Sequence, residues 1–385
     1  MHILIACDKF RGSLTAAEAN AAIAAGLAQS ALSAHATFVC LPIADGGEGT
    51  IDALSGPGTA RVEGVARGPF GGTAPAYFAH DAGAGRAVIE MAAIAGHAAA
   101  KDAGYDPDKA SSVGVGDLIL AALDAGAHEI VVALGGSISV DGGAGALHAL
   151  GGRFADASGK DLGIPAGRAL ARVAGVDLSG LDPRAGRARI IVAADVDNPL
   201  TGPNGAAAVF GPQKGVKPEE VAAFDAALGH FDDMVAAALG RGSYAAEPFA
   251  GAAGGMMTGL SAISPTTATD GFALVQAHHK LEEAIRRADL VVTGEGSLDG
   301  QSLGGKGPVG IARMAMAAGV PCLAFAGRVA AQPDALGAAG VTAAFAIAQG
   351  PQTLDDALGN AAPSLTVTAR AAFALYESAL RPGGR

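Results

Sequence analysis

The stretch DGGEGT at 45–50 sets Asp45 and Glu48 three positions apart, with Gly46 and Gly47 between them. Related stretches follow: GGSISVDGGAG at 135–145, GAAGGM at 251–256 and TGEGSLDGQSLGGKGP at 293–308. One such loop reads equally well as a turn, whereas four along one chain point to a site assembled from distant loops. Glycine lets backbone N–H groups approach a ligand closely, and a helix N-terminus behind such a loop suits phosphate. The carboxylates ask for another guest as well. Mg²⁺, which takes oxygen ligands and bridges phosphates, is one; a substrate hydroxyl that needs a base is the other. Phosphoryl transfer uses this combination of phosphate donors, metal-binding acids, a base and a cation. Glu295, Asp299 and Lys306 fall within one glycine-rich run. Asp195 ends the apolar run RIIVAADV and precedes VDNPLTGPNG, so it reads either as a cap for the next turn or as a catalytic group. No GxxxxGK[ST] loop and no GxGxxG after the first apolar run are present, which argues against a Walker site and a dinucleotide fingerprint.

These loops need rigid elements behind them. HILIAC (2–7) reads as a buried strand, TAAEANAAIAAGLAQ as a helix opened by a Thr15/Glu18 capping box, and TFVCLPIA (37–44) as a strand delivering the chain into DGGEGT. The same grammar returns in a helix at 112–126, strands at 129–136 and 189–196, and a helix at 218–240 whose apolar stripe is Val221, Phe224, Leu228, Phe231 and Val235. Further on, DLVVTGEG (289–296) reads as a strand running into a glycine loop, then come a helix at 308–319 and strands at 320–327 and 341–350. Strands alternating with helices imply parallel sheet. Residues 58–100 alternate more like antiparallel strands. The expectation is therefore an α/β protein with two α/β domains. One is a parallel domain formed by both chain ends, 1–58 and 286–385; the other is a mixed domain inserted at 59–285.

The chain has 385 residues, half of them hydrophobic and 16% charged, so it can bury a sizeable core. A net charge of −11 argues against a nucleic-acid partner, which needs a basic footprint. It leaves room for an anionic substrate held by local loops. The longest apolar run is broken by Gly and Pro and is too short to span a bilayer. No basic-then-apolar leader precedes HILIAC, and a cytoplasmic protein is expected. Cys7, Cys40 and Cys322 lie in or beside apolar runs without metal-ligand spacing and are expected to be buried and reduced. His278 and His279 are expected to be solvated on a polar helix.

Six blocks, in this order, resemble those of bacterial glycerate kinases: CDKFRGSLTAAEA (7–19), PIADGGEGTIDAL (42–54), GGSISVDGGAGAL (135–147), ADVDNPLTGPNGAAAVFGPQKG (194–215), AGAAGGM (250–256) and TGEGSLDGQSLGGK (293–306). The resemblance spans residues 1 to about 350, and ADGGEGT and FGPQKG are its most specific parts. It implies ATP-dependent, Mg²⁺-assisted phosphorylation of D-glycerate to 2-phosphoglycerate. It also implies two α/β domains, one Rossmann- or flavodoxin-like, with the active site in a cleft. Carried over residue by residue, Asp8, Lys9, Arg11, Asp45 and Glu48 are expected to bind substrate. Gly135, Gly136, Ser137, Gly142 and Gly143 are expected to line the nucleotide phosphates. Asp195 is the expected general base, with Glu295 as the other choice; both are candidate Mg²⁺ ligands. Lys306 is expected to neutralise charge during transfer. The chain departs from the family pattern at Cys7 (commonly Pro), Arg11 (Lys), Val113 (Arg), Val140 (Asn or Thr) and Gly304 (His or Arg). A kinase of a related small hydroxy acid, or a non-catalytic glycerate- or nucleotide-binding protein, is the alternative.

Overall fold

The structure is a computed structural model, and it describes residues 1–264, 266–305 and 307–380. In chain order the strands are β1 (His2–Ile5), β2 (Thr37–Cys40), β3 (Thr59–Arg67), β4 (Thr73–Asp81), β5 (Arg86–Glu90), β6 (Glu129–Ala133), β7 (Arg153–Ala155), β8 (Gly175–Asp177), β9 (Arg189–Ala194), β10 (Thr266–Asp270), β11 (Leu290–Leu298), β12 (Cys322–Val329) and β13 (Ala343–Ala346). The chain divides into two compact units: Met1–Asp45 with Phe272–Arg385, and Gly46–Gly271.

The unit made from both chain ends holds a parallel sheet of order β13-β12-β11-β1-β2. Counted within the unit this order is 5-4-3-1-2, the flavodoxin-like winding, with its switch point between β1 and β11. Apolar strand residues such as Ile3, Ile5, Val292 and Phe325 are buried. The capping box that opens helix Ala16–Ala28 is formed: Thr15 Oγ1 accepts from Glu18 N, and Glu18 accepts from Thr15 N. Such a cap stabilises by about 1 kcal/mol. This helix packs on helix Ala361–Leu380 through Gly26, where a Cβ would stand 2.6 Å from Thr366 O. Gly26→Ala would force the two helices apart.

The Gly46–Gly271 unit holds a mixed sheet of order β10-β9-β6-β5-β4-β3. β3–β4–β5 are antiparallel and the remaining pairs parallel, as the alternation at 58–100 and the apolar runs after it predict. The 218–240 helix forms as Val221–Leu239 behind a single 3₁₀ turn, Pro218–Glu220, and stops at Gly240 in the left-handed conformation. Phe224, Leu228, Phe231 and Val235 are buried in the core.

Three local expectations change. β2 ends at Cys40 rather than continuing to 44, and Cys40 is exposed on this edge strand, while Cys7 and Cys322 are buried. β11 does not stop at the glycines. It runs through Gly294, Glu295 and Gly296 to Leu298, because glycine is what the neighbouring strand needs there: a Cβ on Gly294 would stand 2.4 Å from Phe325 O. His278 is exposed, but His279 is half-buried and its Nε2 lies 3.0 Å from Pro42 O.

Candidate active site

In open parallel sheets, ligands bind beyond the carboxyl ends of the strands, at the switch point. In the chain-ends unit that position carries acid. Asp8 follows β1, Asp45 follows β2, and Glu295 sits on β11. Asp8 N donates to Gly294 O at 2.9 Å, so the backbone itself ties Asp8 to the residue beside Glu295. Lys9 Nζ lies 3.8 Å from Asp8 Oδ1 and 3.9 Å from Asp45 Oδ1, bridging the two. Burial pushes the Asp8 carboxyl up to about 6 against the pull of Lys9, and Asp45 adds to the rise. Burial likewise pushes Glu295 up to about 7; Ser302 opposes, and Asp8, Asp299 and Asp45 reinforce. Glu295 Oε1 is buried without a hydrogen-bond partner. A carboxylate oxygen left bare among other acids is suited to a proton or a hard cation. Arg11 is exposed on the turn after Phe10, and its backbone N packs against Gly296, where a Cβ would come within 3.1 Å.

The rest of DGGEGT belongs to the other unit, and its glycines answer to packing. Gly46 has φ +98°, and a Cβ there would lie 3.1 Å from the backbone of Ala193 and Ala194 at the end of β9. Gly135 N donates to Gly46 O at 3.0 Å, and a Cβ on Gly135 would stand 2.6 Å from Gly47 Cα. The loop is thus seated backbone-to-backbone on the ends of β6 and β9. Below it lies Glu90, the buried last residue of β5, whose Oε1 accepts from Ile51 N at 2.7 Å. Burial pushes Glu90 up to about 7, opposed by backbone N–H groups of Ile51 and Gly49 and aided by Asp52 and Glu48. Glu48 itself is exposed. The signal for Glu90 was present in the sequence: like Asp195, it is a carboxylate ending an apolar strand.

A pocket opens at the carboxyl ends of β6 and β9, lined by Gly135, Gly136, Ser137, Asp195, Gln213 and Lys214 among others. Asp195 is the first residue beyond β9 and is exposed. Gly136, with φ +76°, turns the chain so that Ser137 folds back to bridge Gly96. Lys214, from FGPQKG, is 3% exposed; its Nζ donates to Ser137 Oγ and to Ser139 O, both at 2.9 Å. Burial pulls its amine down to about 7, with Asp141 partly restoring it. FGPQKG is distinctive in sequence, but nothing there singles out Lys214, because a single lysine ending a short helical turn looks like any solvated one.

Gly142 and Gly143 are not in this pocket's lining. Both are buried, with positive φ, where a Cβ would meet Phe231 and the Met256–Gly259 backbone. Their neighbour Asp141 is fully buried and accepts from Ser112 N, Ser112 Oγ, Gly143 N and Gly145 N, which clamps the start of helix Ala144–Ala149 to Ser112. This stretch shapes the loop from beneath. Val113 and Val140 are both buried. Lys306 lies outside the described residues. Among the described residues, no group of three His, Cys, Asp or Glu side chains is set to hold a metal ion, and no helix is long and apolar enough to cross a membrane.

Comparison with known proteins gives consistent matches. The family model described as the glycerate kinase family matches residues 3–377. The "Glycerate kinase" of Bacillus subtilis (strain 168) is 42% identical over 372 residues, 96% of each chain. The "Glycerate 2-kinase" of Escherichia coli (strain K12) is 37% identical over 389 residues, 100% of each. A crystal structure from Salmonella typhimurium LT2, 39% identical, superposes with a TM-score of 0.85 and covers 98% of this chain and 99% of that one.

Proposed function

The chain belongs to the glycerate kinase family, and on that premise we propose that it transfers the γ-phosphoryl group of ATP to D-glycerate, releasing ADP and 2-phosphoglycerate. The observation that carries this reading is the pocket of the Gly46–Gly271 unit, in which Asp195 stands with the Gly135–Gly136–Ser137 turn. A carboxylate beside a glycine turn pairs a base for a hydroxyl with N–H donors for phosphate.

In this reading Gly135, Gly136 and Ser137 receive the nucleotide phosphates, and Gly142 and Gly143 only support that turn. Asp195 takes the proton of the glycerate hydroxyl. Asp8, Lys9, Arg11, Asp45 and Glu48 bind substrate, with Arg11 offering a bidentate fork to a carboxylate. Lys306 offsets the charge that develops on transfer. The bare, buried Glu295 Oε1 is suited to a hard divalent cation. Mg²⁺, when bound, neutralises phosphate charge; Glu295, and Asp195 in its own unit, are the ligands we assign. An ATP-consuming step of this kind belongs in the cytoplasm. The departures at Val113 and Val140 are buried in core packing, so they give the choice of a different hydroxy acid no support.

The test is a coupled ADP-release assay with Mg-ATP and D-glycerate, the product assigned by adding enolase alone or mutase with enolase. Turnover of at least about 1 s⁻¹, with an enolase-alone signal, is expected. ADP release no faster than with ATP alone would sink the reading. A signal that requires mutase would move the phosphate to the 3-position.

A further inference from the structure

Lys214 is a charged side chain almost wholly removed from water, yet its hydrogen-bond partners are not carboxylates: they are Ser137 Oγ and Ser139 O, both at 2.9 Å. Both partners lie on the segment that leaves the Gly135–Gly136 turn, and Lys214 and Ser137 line the same pocket. The buried Asp141 offsets part of the cost of burying this ammonium, but burial still outweighs it, which leaves room for a further anion. An anionic oxygen in the pocket favours the ammonium form. An ammonium has three donors and no lone pair. Against it, Ser137 Oγ must accept, and its own proton is then directed elsewhere.

We propose that Lys214 is a positioning residue for the anion site of this pocket: by holding Ser137 Oγ as an acceptor, it leaves the Ser137 O–H as a donor to a ligand phosphate oxygen. The assignment of phosphate rests on the nucleotide reading above; the coupling of Lys214 to Ser137 does not. Ser139 O fixes the second Nζ–H, so the amine cannot swing away from Ser137.

The experiment is a double-mutant cycle on Ser137→Ala, Lys214→Met and the double variant, measuring Kd for MgADP and, separately, for D-glycerate, with KM and kcat alongside. The expected result is a roughly tenfold rise in the MgADP Kd and ATP KM for each single variant and little more in the double, because both changes remove one donor. The glycerate KM stays within about twofold. Circular dichroism melts of each variant identify any that fail to fold; should Lys214→Met fail, Lys214→Gln, which keeps a donor of shorter reach, takes its place. Non-additivity seen in the glycerate Kd instead would keep the Lys214–Ser137 coupling and overturn the nucleotide assignment. Additive losses, or an Ser137→Ala variant with unchanged Kd for both ligands, would overturn the inference itself.

Discussion

The two units each place carboxylates at the carboxyl ends of parallel strands, but only one of them also buries an amine there. In the chain-ends unit, acids crowd together: Asp8 and Glu295 are pushed up to about 6 and about 7, and Lys9 is the cation between Asp8 and Asp45. In the Gly46–Gly271 unit, a buried amine is pulled down to about 7 against serine and carbonyl partners. The first edge is short of positive charge, while the second holds the carboxylates Asp195 and Glu90 together with an amine that has no carboxylate among its hydrogen-bond partners. A cation would relieve the crowded acids of the first edge, and an anion would relieve the buried amine of the second. Perturbed groups of this kind cluster at functional sites.

The largest expected effect separates the two edges by the base. Asp195→Asn should reduce turnover by about two to four orders of magnitude, and Glu295→Gln by less, both read in the ADP-release assay. If Glu295→Gln costs more, the base belongs to the acidic edge and the assignment reverses.

Next comes the seat of the glycine turn. Gly135→Ala puts a methyl 2.6 Å from Gly47 Cα, backbone that cannot retreat. A loss of about 1–3 kcal/mol is expected, seen as a lowered denaturant midpoint. Unchanged stability would mean that the loop adjusts.

The pH dependence of stability should run in opposite directions for Glu295 and Lys214. Glu295 has a folded value raised from 4.5 to about 7, so its contribution is fully present below 4.5 and is lost as pH rises through 7. Lys214 has a folded value lowered from 10.5 to about 7, so its contribution is fully present above 10.5 and is lost as pH falls through 7. Melting curves between pH 5 and 9 should show Glu295→Gln gaining on the parent protein as pH rises. Lys214→Met should gain as pH falls, each by a few degrees. Parallel curves would remove the contrast.

The smallest effect is at Glu48, which is exposed. Glu48→Gln should leave stability within about 0.5 kcal/mol while raising the glycerate KM; an unchanged KM would return Glu48 to the solvated surface.

Apolar runs made most of the fold legible. The parallel strands, the capping box at Thr15 and the 218–240 helix follow from local pattern, because continuous apolar stretches and caps express themselves within a few residues. The extension of β11 through Gly294–Gly296 was hidden, since those glycines answer to Phe325 on another strand. The same applies at the site. Asp195 and Glu295 stand out by residue type and position. The role of Gly46, the depth of Glu90 and the partners of Lys214 depend on contacts between segments 39 to 148 positions apart. Gly142 and Gly143, expected by composition to line phosphates, are buried with positive φ where a Cβ would meet Phe231 and the Met256–Gly259 backbone, packing that local sequence does not show.

The distribution of cysteines gives the molecule a built-in reporter. All three lie in the chain-ends unit, with Cys40 exposed on the sheet's edge and Cys7 and Cys322 buried beside β1 and in β12. Burial raises both buried thiols, Cys322 to about 12, so neither forms thiolate in the closed sheet. Cys40 is raised by partial burial as well, yet as the exposed thiol it is the one a maleimide dye will mark first. The appearance of the second and third labels will time the opening of this sheet alone, without a signal from the other unit.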